Sequence, residues 1–396
     1  MAAVETMQPP LTTIGPLAWL RKNLFSTWYN GLFTILGAIA LITMIRSVIE
    51  WAVGEARWGA ITSNLTLFMI GQYPRDQLWR IWAVIYLLAL LLGLTWGLWK
   101  EAVRGFARIG VGAAIVFALT AIQSSVWPIW IGVAGMVGLG YFVAQRVPGP
   151  IRRVLPAGWV VYFPLSLFVI AGSSLTPFLP PVGLGLWGGL LLTLALTVVG
   201  NVGALPLGIL LALGRRSHLP VLRYFCIGYI ELIRGVPLLT ILYMAANMLP
   251  FFLPEGVRPD QVIRAMVGII LFEAAYQAEN VRGGLQAIPR GQYEAAHALG
   301  LNTMLTTLLI ILPQALRLVI PALIGSFISL FKDTTLVAII GLFDLLRIGR
   351  SVLAQSEWLG THREVFAFAF LIYWGFNLAF SYGSRRLEKA AGVGER

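Results

Sequence analysis

Glu273, Lys332 and Asp333 are ionisable residues standing inside long apolar runs of a 396-residue chain. Side chains of that kind are costly in hydrocarbon, and they either line a path for polar solutes or pair with one another between helices. In the same runs Asn201, within "VVGNVGALPLG", and Asn247, Ser326, Ser329, Thr334 and Thr335 supply further donors and acceptors. A charged solute needs such groups, because unpaired charge is expensive at low dielectric. Adjacent helical residues point about 100° apart, so Lys332 and Asp333 do not face one lumen together. Asn201 is flanked by glycines, which thin a helix and leave room for a ligand.

Bond-making chemistry finds no comparable support. The three histidines and the single cysteine, Cys226, are scattered, and neither a metal cluster nor a nucleophile triad is predicted. Cys226 has no partner for an intrachain disulfide. The four lysines follow Arg21, Trp99, Phe331 and Glu388, so the phosphate-cradling G-x-x-x-x-G-K-[ST] loop is absent. The expectation is a chain that is not an enzyme and binds no cofactor itself.

The elements that position these groups follow from composition. The chain is 58% hydrophobic and 12% charged, about half the charged fraction of a soluble domain. Runs near the ~20 residues that cross a bilayer recur along it. An all-α polytopic membrane protein with about ten transmembrane helices is predicted. Five spans fall at 30–53, 79–99, 107–123, 127–145 and 156–173, and five more at 184–213, 224–249, 262–284, 318–342 and 365–384. The segment "RKNLFSTWYNGLFTILGAIALITMI" is too long for a signal core and reads as a retained first span.

Ten spans put both termini on one side. That side gathers nineteen of the 29 Lys and Arg, against eight opposite, and so reads as cytoplasmic by the positive-inside rule. The net charge of +12 then needs no nucleic acid, and none is expected. Ten N-terminal tryptophans mostly flank spans, as lipid-interface anchors do.

Between the eighth and ninth spans lies "IPRGQYEAAHALGL", too polar to cross. Pro289 suits a helix start and Gly300 its end. Tyr293, Ala296 and Leu299 recur every three residues and predict one apolar face. A short amphipathic helix there lies on lipid or docks into a partner's groove, and its alanines favour docking. Nearby, Glu231 with Arg234 and Glu279 with Arg282 are spaced i, i+3 and predict structural charge pairs at the inner helix ends.

These residues carry a resemblance. Glu294-Ala295-Ala296, then Gly300, Ile310 and Leu312-Pro313 match the spacing of the EAA loop of ABC-importer permeases. The stretches "ELIRGVPLLTILY", "YQAENVRGGLQAIPRGQYEAAHALGL" and "FKDTTLVAIIGLFDLL" resemble the histidine/glutamine, or polar amino acid, permease class. The extra N-terminal spans resemble the membrane subunits of general L-amino-acid importers. The resemblance implies a five-helix permease core at 184–386 with an EAA coupling loop at 286–316. It leaves a cytoplasmic segment at 1–29, an extension at 30–175 and a tail at 387–396. It implies coupling to a cytoplasmic ATPase dimer through Tyr293, Glu294, Ala295, Ala296, Leu299, Gly300, Ile310, Leu312 and Pro313, with ATP and Mg held by that partner. A second permease subunit, an extracytoplasmic amino-acid-binding protein, membrane lipid and a bacterial inner-membrane location are also implied. An ion- or proton-coupled secondary transporter is the alternative; its duplicated halves would show internal symmetry, whereas the EAA pattern occurs once.

Overall fold

The computed structural model describes residues 15–99 and 127–390. It divides into two compact units, Met1–Gly59 and Ala60–Arg396. In the first, α1 (Pro16–Asn23) precedes α2 (Trp28–Glu50), which runs on through a π turn at Trp51–Glu55. Thr27 caps α2 by accepting from the Asn30 N–H at 3.4 Å. The helix is apolar around its whole circumference, the pattern of a membrane span.

The second unit begins with a short helix, α3 (Leu65–Ile70), and three long ones, α4 (Leu78–Leu98), α5 (Trp127–Arg146) and α6 (Pro148–Ala171). Helices α4 and α5 touch backbone to backbone: a Cβ on Gly93 would stand 2.2 Å from the Val137 carbonyl oxygen. Such contact between small residues is how helices associate in lipid, where no hydrophobic effect drives them together. The span expected at 107–123 lies outside the described residues.

The remaining helices are α7 (Gly189–Arg215), α8 (Pro220–Arg234), α9 (Leu238–Tyr243), α10 (Gln261–Ala287), α11 (Arg290–Ala298), α12 (Leu312–Asp333), α13 (Leu345–Leu353) and α14 (His362–Ala390). Helix α10 is the axle. Its Ile269 sits against Gly200 of α7, and its Gly284 would place a Cβ 2.6 Å from Val319 of α12. Among the described residues, seven helices are long and apolar enough to cross a membrane, eight if a bent pair makes one span. Helix α10 is not among them, since Arg264, Glu273, Glu279 and Arg282 lower its hydropathy, but its 27 residues reach about 40 Å.

Two expected spans take a different form. The span predicted at 224–249 is broken: Pro220–Arg234 and Leu238–Phe252 meet at 102°. Pro237, with no N–H and a fixed φ, stands between them and constrains the residue before it. The span predicted from 318 instead starts at Thr303 and continues to Ile340, through a π turn at Thr306–Ile311 and a 3-10 stretch at Thr334–Ile340. Pro313 is the second residue of α12, directly after that π turn.

Helix α13 is capped by Asp344, whose carboxylate accepts from the N–H groups of Leu346 at 2.9 Å and Arg347 at 3.2 Å. Burial pushes its carboxyl from the ordinary 3.8 up to about 6, against those two bonds and Arg350, which favour the anion. A folded value above the free one means greatest stability in acid, with loss as pH climbs from 3.8 through about 6. Asp344→Asn keeps an N-cap acceptor without a charge. Thermal unfolding of the detergent-purified chain should therefore lose a pH dependence on the order of 2 kcal/mol across that window in the Asn variant. An unchanged profile would mean that Asp344 is solvated in the folded state.

Candidate functional site

Helix α11 stands at one end of the bundle, and its limits follow from backbone chemistry. Pro289 precedes its first turn, and Gly300 follows it in the left-handed region at φ +78°. The Leu301 N–H bonds back to the Ala296 carbonyl at 3.1 Å, closing the helix end. Asn302 then caps the next helix, accepting from Leu305 N–H at 2.8 Å. Open space surrounds the position of a Gly300 Cβ, so conformation and not room selects glycine there.

One side of α11 is bound to its own chain. Ala296 is buried, and Tyr293 packs on the apolar cluster of Ile230, Val281, Leu285 and Ile311. The Tyr293 hydroxyl accepts from Arg216 at 3.5 Å, and Gln314 of α12 donates to Gln292 at 3.1 Å. Glu294, Ala295, His297 and Gly300 are exposed, and Leu299 is 82% exposed. The single apolar face expected of Tyr293, Ala296 and Leu299 does not form. Six residues turn a helix through about 600°, and Leu299 already lies past the end of α11, so it points outward. Ile310, Leu312 and Pro313 belong to the continuous helix that follows and not to a loop.

Behind α11, residues of three helices, α7, α8 and α10, meet in an ion cluster centred on Glu279, whose side chain is 15% exposed. Arg215 of α7 approaches Glu279 at 2.6 Å, Arg282 at 2.8 Å and Arg234 of α8 at 3.9 Å. The expected pairing of Glu231 with Arg234 is replaced: Glu231 pairs with Arg215 at 3.2 Å, while Arg234 turns to Glu279. The more buried carboxylate draws the guanidinium, because attraction strengthens as water is excluded. Arg215 was not singled out in the sequence; its place in the last turn of a long span was the available signal.

The mid-chain polar residues divide into two sets. Asn201 and Glu273 lie near the midpoints of α7 and α10 and are buried within this chain. Asn201 donates to the Thr197 carbonyl at 3.0 Å, and Gln277 donates to the Asn201 carbonyl at 3.1 Å. The room expected beside Asn201 is filled: Ile269 and Leu330 press on Gly200, and Ile270 on Gly203. Glu273 is 5% exposed, with Oε2 unbonded, and feels the charge of Asp333. Ser326 accepts from Asn280 at 3.2 Å, buried Thr334 donates to the Phe331 carbonyl at 2.8 Å, and Thr335 is half-buried. Asn247, Ser329 and Lys332 form the second set, exposed on the chain's surface. Asn247 lies in a π turn, Met244–Met248, and donates to the Tyr243 carbonyl at 3.1 Å.

Known proteins place this arrangement. Residues 204–392 match the binding-protein-dependent transport system inner membrane component family. The chain is 43% identical to the inner membrane amino-acid ABC transporter permease protein YhdY of Escherichia coli, covering 96% of this chain and 94% of that one. It is 36% identical to the glutamate/glutamine/aspartate/asparagine transport system permease protein BztC of Rhodobacter capsulatus, over the same shares. A crystal structure of an amino acid ABC transporter with histidines is 30% identical with a TM-score of 0.43, covering 49% of this chain and 90% of the other. With two such relatives matched over almost their full length, the chain belongs to the binding-protein-dependent inner membrane transport components, the permease subunits of ABC transporters.

Proposed function

We propose that this permease carries amino acids into the cell and takes its drive from a separate ATPase through α11. The observation that carries the reading is the two-sidedness of α11. Tyr293, Ala296 and Gln292 bind it to α7, α12 and the core, while Glu294, Ala295, His297 and Leu299 face outward beside Gly300. A helix so held passes a push on its outer side to the bundle. The push would come from a cytoplasmic ATPase dimer that holds ATP and Mg. The names of the relatives support amino acids, the acidic ones and their amides foremost, as the cargo.

The same reading places 184–386 as the transport core and 30–175 as an extension, with both termini in the cytoplasm, where the basic loops lie. A second permease chain completes the pathway, lipid surrounds the pair, and an extracytoplasmic binding protein delivers the substrate. Pathway contacts fall to Asn247, Ser329 and Lys332, because a lumen formed between two chains is lined by what each leaves exposed. Asn201, Glu273 and Thr334 are instead buried inside the chain, where Asn201 joins α7 to α10 through Gln277 and Thr334 bonds within its own turn.

Gly300→Val forces a β-branched residue toward φ +78°, a strain of about 1–2 kcal/mol. Substrate-stimulated ATP hydrolysis by the reconstituted complex should fall about tenfold, with membrane insertion intact. Full stimulation in that variant would remove α11 from the coupling route.

Arg215→Met takes the shared cation from Glu231 and Glu279. Leaving a partly buried carboxylate short of a partner should cost about 2 kcal/mol, more than Glu231→Gln at the exposed end of the cluster. Thermal unfolding of the two purified variants compares them, and equal losses would show that Glu279 does not depend on Arg215.

A further inference from the structure

At the end of α7 away from α11, helix α3 of the extension meets α13 and the beginning of α14. Phe68 of α3 is fully buried, and its ring meets that of Phe368 of α14 at 5.1 Å. A Cβ on Gly349 of α13 would stand 3.6 Å from the same Phe68 ring. At the N-cap of α3, Asn64 accepts from the side-chain amide of Gln355, just past the end of α13, at 3.2 Å. Asn64 in turn donates to the carbonyl of buried Ala60 at 3.0 Å.

Helix α13 has little freedom of its own. Five of its nine residues are buried, and a Cβ on Gly349 would stand 2.8 Å from a methyl of Val365 in α14. The Leu345 N–H donates to the Thr193 hydroxyl of α7 at 3.2 Å. Segments that open in a working protein are those with few buried apolar contacts and solvated backbone bonds. Helix α13 is the reverse case, and close-packed surfaces transmit strain and do not yield to it. The contact with α3 also belongs to the core in a second way. Ile70 and Tyr73 share one apolar cluster with Trp187, Leu192, Ile340 and Leu342. Parting α3 from α13 would uncover Phe68 and break the bond between Asn64 and Gln355.

We propose that α3, with Asn64, and α13, with Gln355, stay joined as one clamp throughout the transport cycle, so that the extension fixes this end of the core while α11 is driven at the other. The inference rests on the ATP-driven reading above. Residues 60–73 then act as part of the working core, although the core expected from sequence begins at 184.

The test uses the whole complex, with partner permease, ATPase and binding protein, in proteoliposomes. Cysteines replacing the two bonded residues, N64C/Q355C, are joined by a short bis-methanethiosulfonate linker that reductant removes. The single substitutions serve as controls for modification, and native Cys226 is buried. ATP-driven uptake of labelled L-glutamate and L-glutamine, and ATP hydrolysis, should stay within about twofold of the unlinked complex. A larger loss that reductant reverses means that α3 and α13 part during the cycle, and the proposal is overturned. Failure of the linker to join the two cysteines in the resting complex overturns it too. In F68A, hydrogen exchange of the α13 amides should quicken about tenfold; exchange at the unmutated rate would show that α3 does not hold α13. An unmutated complex whose uptake does not respond to ATP overturns the ATP-driven reading instead, and the F68A exchange still decides whether α3 holds α13.

Discussion

Hydrocarbon offers no hydrogen bonds, so every polar group between the membrane faces must be answered from within the protein. Most of this fold can be understood as the answer. Thr197 donates to the Thr193 carbonyl and Asn201 to the Thr197 carbonyl, each side chain returning to its own helix one turn back. Where helices are irregular and carbonyls come free, long side chains from neighbouring segments reach them. Arg264 donates to the Ala246 carbonyl in the π turn, and Gln261 and Arg347 donate to the carbonyls of Ile340 and Ala338 in the 3-10 stretch. Interrupted helices are therefore permitted where α10, with Gln261 and Arg264, and α13, with Arg347, supply the donors that complete them. The charged residues of α10 lower its hydropathy as a span.

The end that carries α11 obeys a different balance. Water reaches it, and there the chain concentrates charge: Arg215, Arg234 and Arg282 around Glu279 and Glu231. Exposed pairs of this type contribute little to stability, but a shared, half-shielded carboxylate ties several helix ends to one point. Arg216, the residue after Arg215, bonds to Tyr293 of α11. Neighbouring residues at the end of α7 thus bind both the charge cluster and α11.

Much of this was legible in the sequence because it depends on local periodicity. Long apolar runs and the Pro289-to-Gly300 frame of α11 are signals within one element, and among the described residues the structure places helices on them. What was not legible depends on which elements meet. Glu231 and Arg234 have the spacing of a pair, yet each turns to a residue on another helix. Glycines around Asn201 predicted space, but Ile269, Ile270 and Leu330 occupy it. Exposure of Lys332 follows from how α12 is rotated, which no spacing within α12 specifies. The bend between α8 and α9 is an intermediate case, since the Gly235-Val236-Pro237 sequence is a visible helix breaker.

The join between the extension helices and α7 follows from the same constraint. Segment 172–188 could have been a slack tether, yet several of its backbone groups are engaged. Val182 N–H bonds to the Ala171 carbonyl at 2.7 Å, and Arg80, fully buried at the start of α4, donates to the Pro180 carbonyl at 2.9 Å. Tyr73 donates its hydroxyl to the Ile170 carbonyl at 2.8 Å, and Trp187 bridges to Gly71. Gly189, the first residue of α7, lies at φ +58° and so close to α3 that a Cβ would meet the Phe68 carbonyl oxygen at 2.0 Å. Its N–H bonds to the Phe343 carbonyl at 2.8 Å, next to the cap of α13. A buried guanidinium and a glycine with no space for a side chain allow little sliding. The first turn of α7 is thus gripped by α3 on one side and by the α13 junction on the other. Helix α7 also carries Arg215 and Arg216 at its far end, where they meet the ion cluster and α11.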